Sequence, residues 1–348
     1  MTLATALALA AGAVLLLLAL QAWWTGRRAA ERRGARPLDG PAPRVEPGLG
    51  SEPSAAGEVP DRRAEVDLRP SAARRAARLD ALIDAIAPLT LDAPTSGEHV
   101  LAHLPPSHRA GTKAFLIEGL NAETGQWEAP SPGQRYSELQ AGVQLAGRSG
   151  ALNEIEYSEF VQKVQAFADA VGAMPDFPDM LDVVARGREL DNFAGPLDAV
   201  LTVTLRSNGV AWSVGYLQQC AGRLGFVPGA VPGRLVLPAA EEGAPPVLVL
   251  SFDPQAALAD DAQAAAVRDC VLGLDVPQTA ESAEPFPAWH NAARTLADDM
   301  DATLVDDQGQ PITLHAFAAI GDELATIYRA LESRDLAAGS PAARRLFS

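Results

Sequence analysis

From Leu3 to Trp24 the chain is apolar at every position except Thr5 and Gln21. About 20 such residues, wound as a helix, cross a hydrocarbon core of roughly 30 Å, so the pattern predicts a membrane span over 1–25. No Lys or Arg precedes the run, and it ends on Trp23 and Trp24 instead of a small-residue cleavage site. That predicts an anchor that is kept, not a secretory signal that is removed. Paired indoles suit a membrane–water boundary, and Arg27, Arg28, Arg32, Arg33 and Arg36 follow at once. By the positive-inside rule the N-terminus faces out and the rest of the chain the cytoplasm, with anionic lipid beside Arg27–Arg36. The remainder of 26–78 is rich in Pro, Gly, Ser and charge, a composition expected of a disordered linker.

Past residue 78 the apolar positions recur with shorter periods. "LQAGVQLAG" (139–147) and "EFVQKVQAFADAVGA" (159–173) resemble "RDCVLGLDV" (268–276) and "AWHNAARTLADDMDA" (288–302) at a constant offset of 129 residues. Phe160, Val164, Phe167 and Val171 are spaced as one buried helix stripe. Trp289, Ala293, Leu296 and Met300 repeat that spacing. The repeat predicts two related domains, 79–192 and 193–335, the first a divergent copy, followed by a tail over 336–348.

The second half alternates more clearly. "DAVLTVTL" (198–205) puts Ala199, Leu201, Val203 and Leu205 on one face and Val200, Thr202 and Thr204 on the other. "RLVLP" (234–238), "VLVLSF" (247–252) and "CVLGLDV" (270–276) read as further strands, and "ATLVDDQGQPIT" (302–313) as a hairpin. A helix carries Leu217, Cys220, Ala221 and Leu224; another spans 286–300; a last one carries Phe317, Ile320, Leu324, Ile327, Tyr328 and Leu331. Hairpin signals without regular strand–helix alternation predict an α+β fold: a mostly antiparallel sheet with helices on one face, behind the N-terminal transmembrane helix. Val200, Val249 and Val271 would then point from the uncovered face.

Composition narrows the function. Residues 1–78 hold 12 Arg against 8 Asp and Glu, and 79–348 hold 16 Lys and Arg against 36 acidic residues, a net of −20. Such a surface repels phosphates and excludes nucleic acid as a partner. Cys220 and Cys270 lie in apolar patterns and read as packed free thiols. His99, His103 and His108 form the one dense histidine run, but Pro105-Pro106 interrupts it and no further ligand joins, so no metal site is expected. No P-loop, H-E-x-x-H or G-x-S-x-G occurs. Asp298, Asp299, Asp306 and Asp307 read as a solvated face, and no Ser or Cys has a recognisable base. The expectation is a protein that is not an enzyme, with no catalytic residues and no cofactor. An anchor, a tether and an apolar sheet face suit the capture of a peptide.

Leu296-Ala297-Asp298-Asp299-Met300, then Leu304-Val305-Asp306-Asp307-Gln308, then Ile312-Thr313 and a final amphipathic helix resemble the ZipA cell-division protein family. The likeness runs weakly back to "DAVLTVTL", over roughly 195–333. It implies an antiparallel sheet backed by helices whose open face binds the C-terminal tail of the tubulin-like protein FtsZ. It also implies a role in septum formation at the bacterial inner membrane. Carried over by position, the implied groove is Val200, Thr202, Val231, Leu235, Val249, Val271 and Gly273. Gly273 falls where the family has a large aromatic, and Pro254 or its neighbour where it has a Met. An adaptor of the same fold for another division or envelope component is the alternative.

Overall fold

In the computed structural model, Ala85, Ala87 and Leu89 stand opposite Val143, Ala141 and Leu139, and this register organises the first half of the chain. Residues 78–348 are described, apart from 242, 260, 262–264 and 313 and the side chains of 314–316. The expected anchor, basic flank and linker lie outside the described residues. Among the described residues no helix is long and apolar enough to cross a membrane.

The first sheet contains β1 (Asp84–Ser96), β2 (Lys113–Asn121), β3 (Arg135–Gln144) and β4 (Ala173–Pro175), in the order β2-β3-β1-β4, all antiparallel. Helix α1 (Gly97–His103) follows β1, while α2 (Glu154–Val171) and α3 (Met180–Ala194) flank β4. The Asn153 side chain accepts from the Ile155 and Glu156 N–H groups, and the Glu156 carboxylate answers the Asn153 N–H at 3.3 Å, a closed capping box at the start of α2. Glu156 also accepts from the Thr112 amide at 2.9 Å and hydroxyl at 2.7 Å. Burial alone would raise the Glu156 carboxyl, but these hydrogen bonds outweigh it and hold it below its usual range. Gly172, at φ +69°, ends α2 in the left-handed conformation that a side chain would strain.

The second sheet contains β5 (Val200–Ser207), β6 (Val227–Pro228), β7 (Arg234–Leu237), β8 (Leu248–Ser251), β9 (Asp269–Asp275) and β10 (Ala302–Val305), in the order β6-β7-β8-β9-β5-β10. Helices α4 (Val214–Arg223), α5 (Pro285–Asp299) and α6 (Leu314–Glu332) accompany it. Its inner order β8-β9-β5-β10 repeats β2-β3-β1-β4. Moved by 129 residues, α2 and β4 fall on α5 and β10. The expected stripes are buried in both helices: Phe160, Val164, Phe167 and Val171 in α2, and Trp289, Ala293 and Leu296 in α5 with Met300 as its C-cap.

Each sheet has its own core, yet the described residues fall within one compact unit. Helix α6 joins them: Phe317, Leu324 and Tyr328 belong to the second core, and Leu331 to the first. The stretch expected as a tail continues into the first core with Leu336 and α7 (Pro341–Leu346), where Ala343, Leu346 and Phe347 are buried. Arg345 donates to both oxygens of Asp84, at 2.6 and 2.7 Å, and the Asp84 side chain is fully buried. The Gln278 amide donates to the Phe347 carbonyl at 2.7 Å, tying the second layer to the same helix.

Burial pushes the Asp84 carboxyl up, and the Arg345 guanidinium draws it back. Arg345→Ala leaves a buried carboxylate without a cation, and its folded-state pKa then rises further above the unfolded value. Stability is therefore retained below the unfolded pKa and lost as pH climbs through the folded one. Denaturant titration is expected to show a loss of about 3–5 kcal/mol at pH 7, shrinking toward pH 4, with Asp84→Asn restoring part of it. A variant within about 0.5 kcal/mol of the parent at pH 7 would show that the pair does not hold α7.

Candidate functional site

Period-two geometry divides the second sheet. Leu235 opposes Leu250, Leu250 opposes Leu272, and Leu272 opposes Val203; all four are buried against the helices. One residue away, Val236, Val249, Gly273 and Thr202 form a row on the other face. Val227 extends this row onto β6, and a neighbouring row holds Ser251, Val271 and Thr204. Val200 stands on the same face, 53% exposed, opposite Asp275. The result is an uncovered stripe of Val, Thr and Gly across five strands. A sheet normally buries one face, so apolar residues repeated on the other mark a contact surface.

The expected site residues therefore divide. Val200, Thr202, Val249, Val271 and Gly273 share the outward face. Leu235 is a correction: at 3% exposure it belongs to the helical core, and its neighbour Val236 takes the outward position. The run "GRLVLP" offers two alternations one residue apart, and pairing with β8 selects the one that puts Leu235 inside. Val231 is exposed but lies in the turn before β7, where its carbonyl accepts from the Arg234 N–H. Val227 and Val236, which sequence reasoning missed, could have been found only by knowing the register.

Gly273 lies near the middle of the stripe. A Cβ built there would meet only the Val249 carbonyl oxygen at 3.7 Å and Thr202 Cγ2 at 3.9 Å, ordinary contact distances. The backbone is thus bare at this point and leaves a shallow recess. Ion pairs bound the stripe. At one end Arg148, from the first layer, reaches Asp198 at 2.7 Å and Asp275 at 2.9 Å. Arg206 and Asp269 pair at 3.1 Å toward the other. Burial raises the Asp275 carboxyl despite Arg148.

The first sheet has no such surface. Its corresponding face carries Thr90, Glu138, Gln140 and Glu118. The incoming chain lies over it: the Arg78 and Leu79 amides donate to Glu118, and Leu79 packs so closely on Gly142 that a Cβ there would fall 2.5 Å from Leu79 Cδ2. Gly142 is the counterpart of Val271 at the 129-residue offset, so the position open in one layer is closed in the other.

The remaining candidates have structural roles. His103 Nδ1 meets the His99 carbonyl within α1 at 2.8 Å, and His108 packs beside Phe115. Among the described residues no group of three or more His, Cys, Asp or Glu is placed to hold a metal ion. Cys220 and Cys270 are buried and unbridged, and burial pushes the Cys270 thiol up to about 12, far from a reactive thiolate. Asp306 accepts from the Gln308 and Gln310 amides and shapes the turn after β10.

Residues 252–323 match the family model of the C-terminal FtsZ-binding domain of ZipA. The resemblance read from the sequence is thereby borne out over that segment. It includes β9, with Val271 and Gly273, together with α5, β10 and the start of α6. β5, β6, β7 and β8, which carry the rest of the stripe, lie before it. No curated protein matches the chain.

Face assignment is testable with two adjacent positions. Val271→Asp is expected to shift stability by less than about 1 kcal/mol, because its side chain has water beside it. Leu272→Asp buries a carboxylate among leucines and is expected to cost more than about 4 kcal/mol or to prevent folding. Thermal denaturation of the two variants checks this; equal losses would mean that both faces are covered.

Proposed function

We propose that this chain is a non-enzymatic adaptor of bacterial cell division that binds FtsZ and tethers its filaments to the cytoplasmic membrane. Supporting this reading is the ZipA-type match over 252–323, set on a sheet whose uncovered face carries an apolar stripe. An extended tail laid along Val200, Thr202, Val236, Val249, Val271 and Gly273 would bury alternate side chains against the stripe. It would do so without requiring any conformational change of the sheet.

The membrane half of the reading rests on sequence. The apolar run 3–24 is taken as a single inner-membrane span with its N-terminus in the periplasm, and Arg27–Arg36 as the lipid-facing flank. With the linker between, the binding layer stays near the membrane while free to turn. The stripe is small and lacks a large aromatic anchor, so single-site affinity is modest. A filament offering many tails to many anchors on one surface raises the effective concentration and converts modest affinity into firm attachment. The layer over 79–192 is read as a divergent copy of the same domain, its equivalent face closed by Leu79.

One observation favours a second reading. Gly273 gives a recess where a bulky side chain would give a wall, so an adaptor of the same fold for a different division or envelope component fits the same surface.

Calorimetric titration of the full chain in detergent micelles with a peptide of the FtsZ C-terminal tail separates the two. Saturable binding, weakened at least about tenfold by Val249→Glu or Val271→Asp with folding intact, is the expected result. No binding at high micromolar peptide overturns FtsZ as the partner and leaves the second reading.

A further inference from the structure

The face that the first layer turns away from its core is closed by two residues of the incoming chain. Ile86, Gly142 and Leu116 stand in register across β1, β3 and β2 and form one apolar row on that face. Ile86 and Leu116 lie outside the first core, as does the half-buried Leu79 seated on the row. The three atoms nearest to a Cβ built on Gly142 all belong to the Leu79 side chain, so the glycine makes a socket for that leucine. The main chain is held as well. The Arg78 and Leu79 amides both donate to Oε1 of Glu118, the second at 3.2 Å, and the Arg78 carbonyl accepts from Arg345. Glu118 is 2% exposed, and its Oε2 accepts from the Gln140 side-chain amide at 3.0 Å. One oxygen of a buried carboxylate is thus given over to main-chain N–H groups. Beside these residues a hollow of about 850 Å³ opens, lined by Leu79 with Ala129, Pro341 and Ala342.

Two amides, a carbonyl and one side chain in a socket are the contacts that hold a sheet-bound peptide: the main chain supplies affinity and the socket selects the side chain. Arg78 and Leu79 put no apolar side chain into either core. Asp80, its amide fixed to Asp84 at 2.9 Å, already begins the turn into β1. The two residues before it therefore occupy the face as a ligand would, and without them a buried carboxylate oxygen needs another donor. We propose that this face is a second docking face, for an extended segment of a partner protein that presents a leucine, and that Arg78-Leu79 closes it in cis. A competitor joined to its own site acts at an effective concentration in the millimolar range, so a segment in trans enters only as the strap is displaced. The proposal does not depend on the FtsZ reading.

The test is calorimetry of the full chain in detergent micelles with acetyl-Ala-Arg-Leu-Asp-Ala-amide, the sequence of residues 77–81, as probe. The Leu79→Ser chain is expected to bind it saturably at low millimolar peptide, and the parent at least about tenfold more weakly. Replacing the leucine of the probe by serine is expected to cost at least about tenfold. Adding Gly142→Val to Leu79→Ser fills the vacated socket and is expected to cost as much. Leu79→Ser alone is expected to lower Tm by less than about 4 °C, because the leucine is outside both cores. Val271→Asp, which disables the stripe, leaves probe binding unchanged, so failure here and failure at the stripe are distinguishable. Four results overturn the proposal: no saturable heat from Leu79→Ser at about 10 mM probe, equal binding by the parent, full affinity after Gly142→Val, or loss of binding with Val271→Asp. A larger fall in Tm makes Leu79 a core residue and overturns it too. A parent that is dimeric and becomes monomeric with Leu79→Ser assigns the face to the strap of a second copy, and also overturns closure in cis.

Discussion

The backbone pairing of β9 with β5 and β8 is the constraint from which the binding surface follows. Leu272 opposes both Val203 and Leu250, and these three, with Leu235, form the apolar floor on which α5 packs, in one core with Phe317, Leu324 and Tyr328 of α6. Burying such side chains contributes on the order of 2 kcal/mol each, so the register cannot slip by one residue without reversing that gain. Once the leucines are inside, Val236, Val249, Val271, Gly273 and Thr202 have no choice but to face out. The outer stripe is a consequence of the inner core, and the helices that secure one face leave the other bare.

The same strand order occurs twice, with different outcomes. In the first layer the backbone amides of Arg78 and Leu79 satisfy Glu118, and Leu79 covers Gly142. In the second, nothing among the described residues performs that service over Val271 and Gly273. A small difference in the chain's path thus separates a layer that is closed from one that can accept an added segment. The Arg148 pairs with Asp198 and Asp275 place the closed layer at one end of the open stripe.

The two layers are held together by the end of the chain. Helix α6 starts in one core and finishes in the other, and α7 seats Leu346 and Phe347 beneath the first sheet. The Arg345–Asp84 pair is buried, and a buried pair is a poor source of net stability compared with apolar packing. Its value lies in direction: a bidentate guanidinium admits one geometry, and so specifies where the last helix sits.

Much of this was legible in the residues. Helix stripes at Phe160–Val171 and Trp289–Met300, the strands near 200, 234, 248 and 270, and the 129-residue spacing follow from periodicity, because side-chain direction in a helix or strand is a local property. So does the presence of a second, outward set of valines. What periodicity could not decide was which of two alternations in "GRLVLP" faces inward, since Leu235 and Val236 are equally apolar and only the partner strand chooses. Nor could it show that Leu336, Ala343, Leu346 and Phe347 belong to the first core, or that Arg345 reaches the buried Asp84. Those depend on contacts between residues far apart in the chain, and only the folded arrangement brings them together.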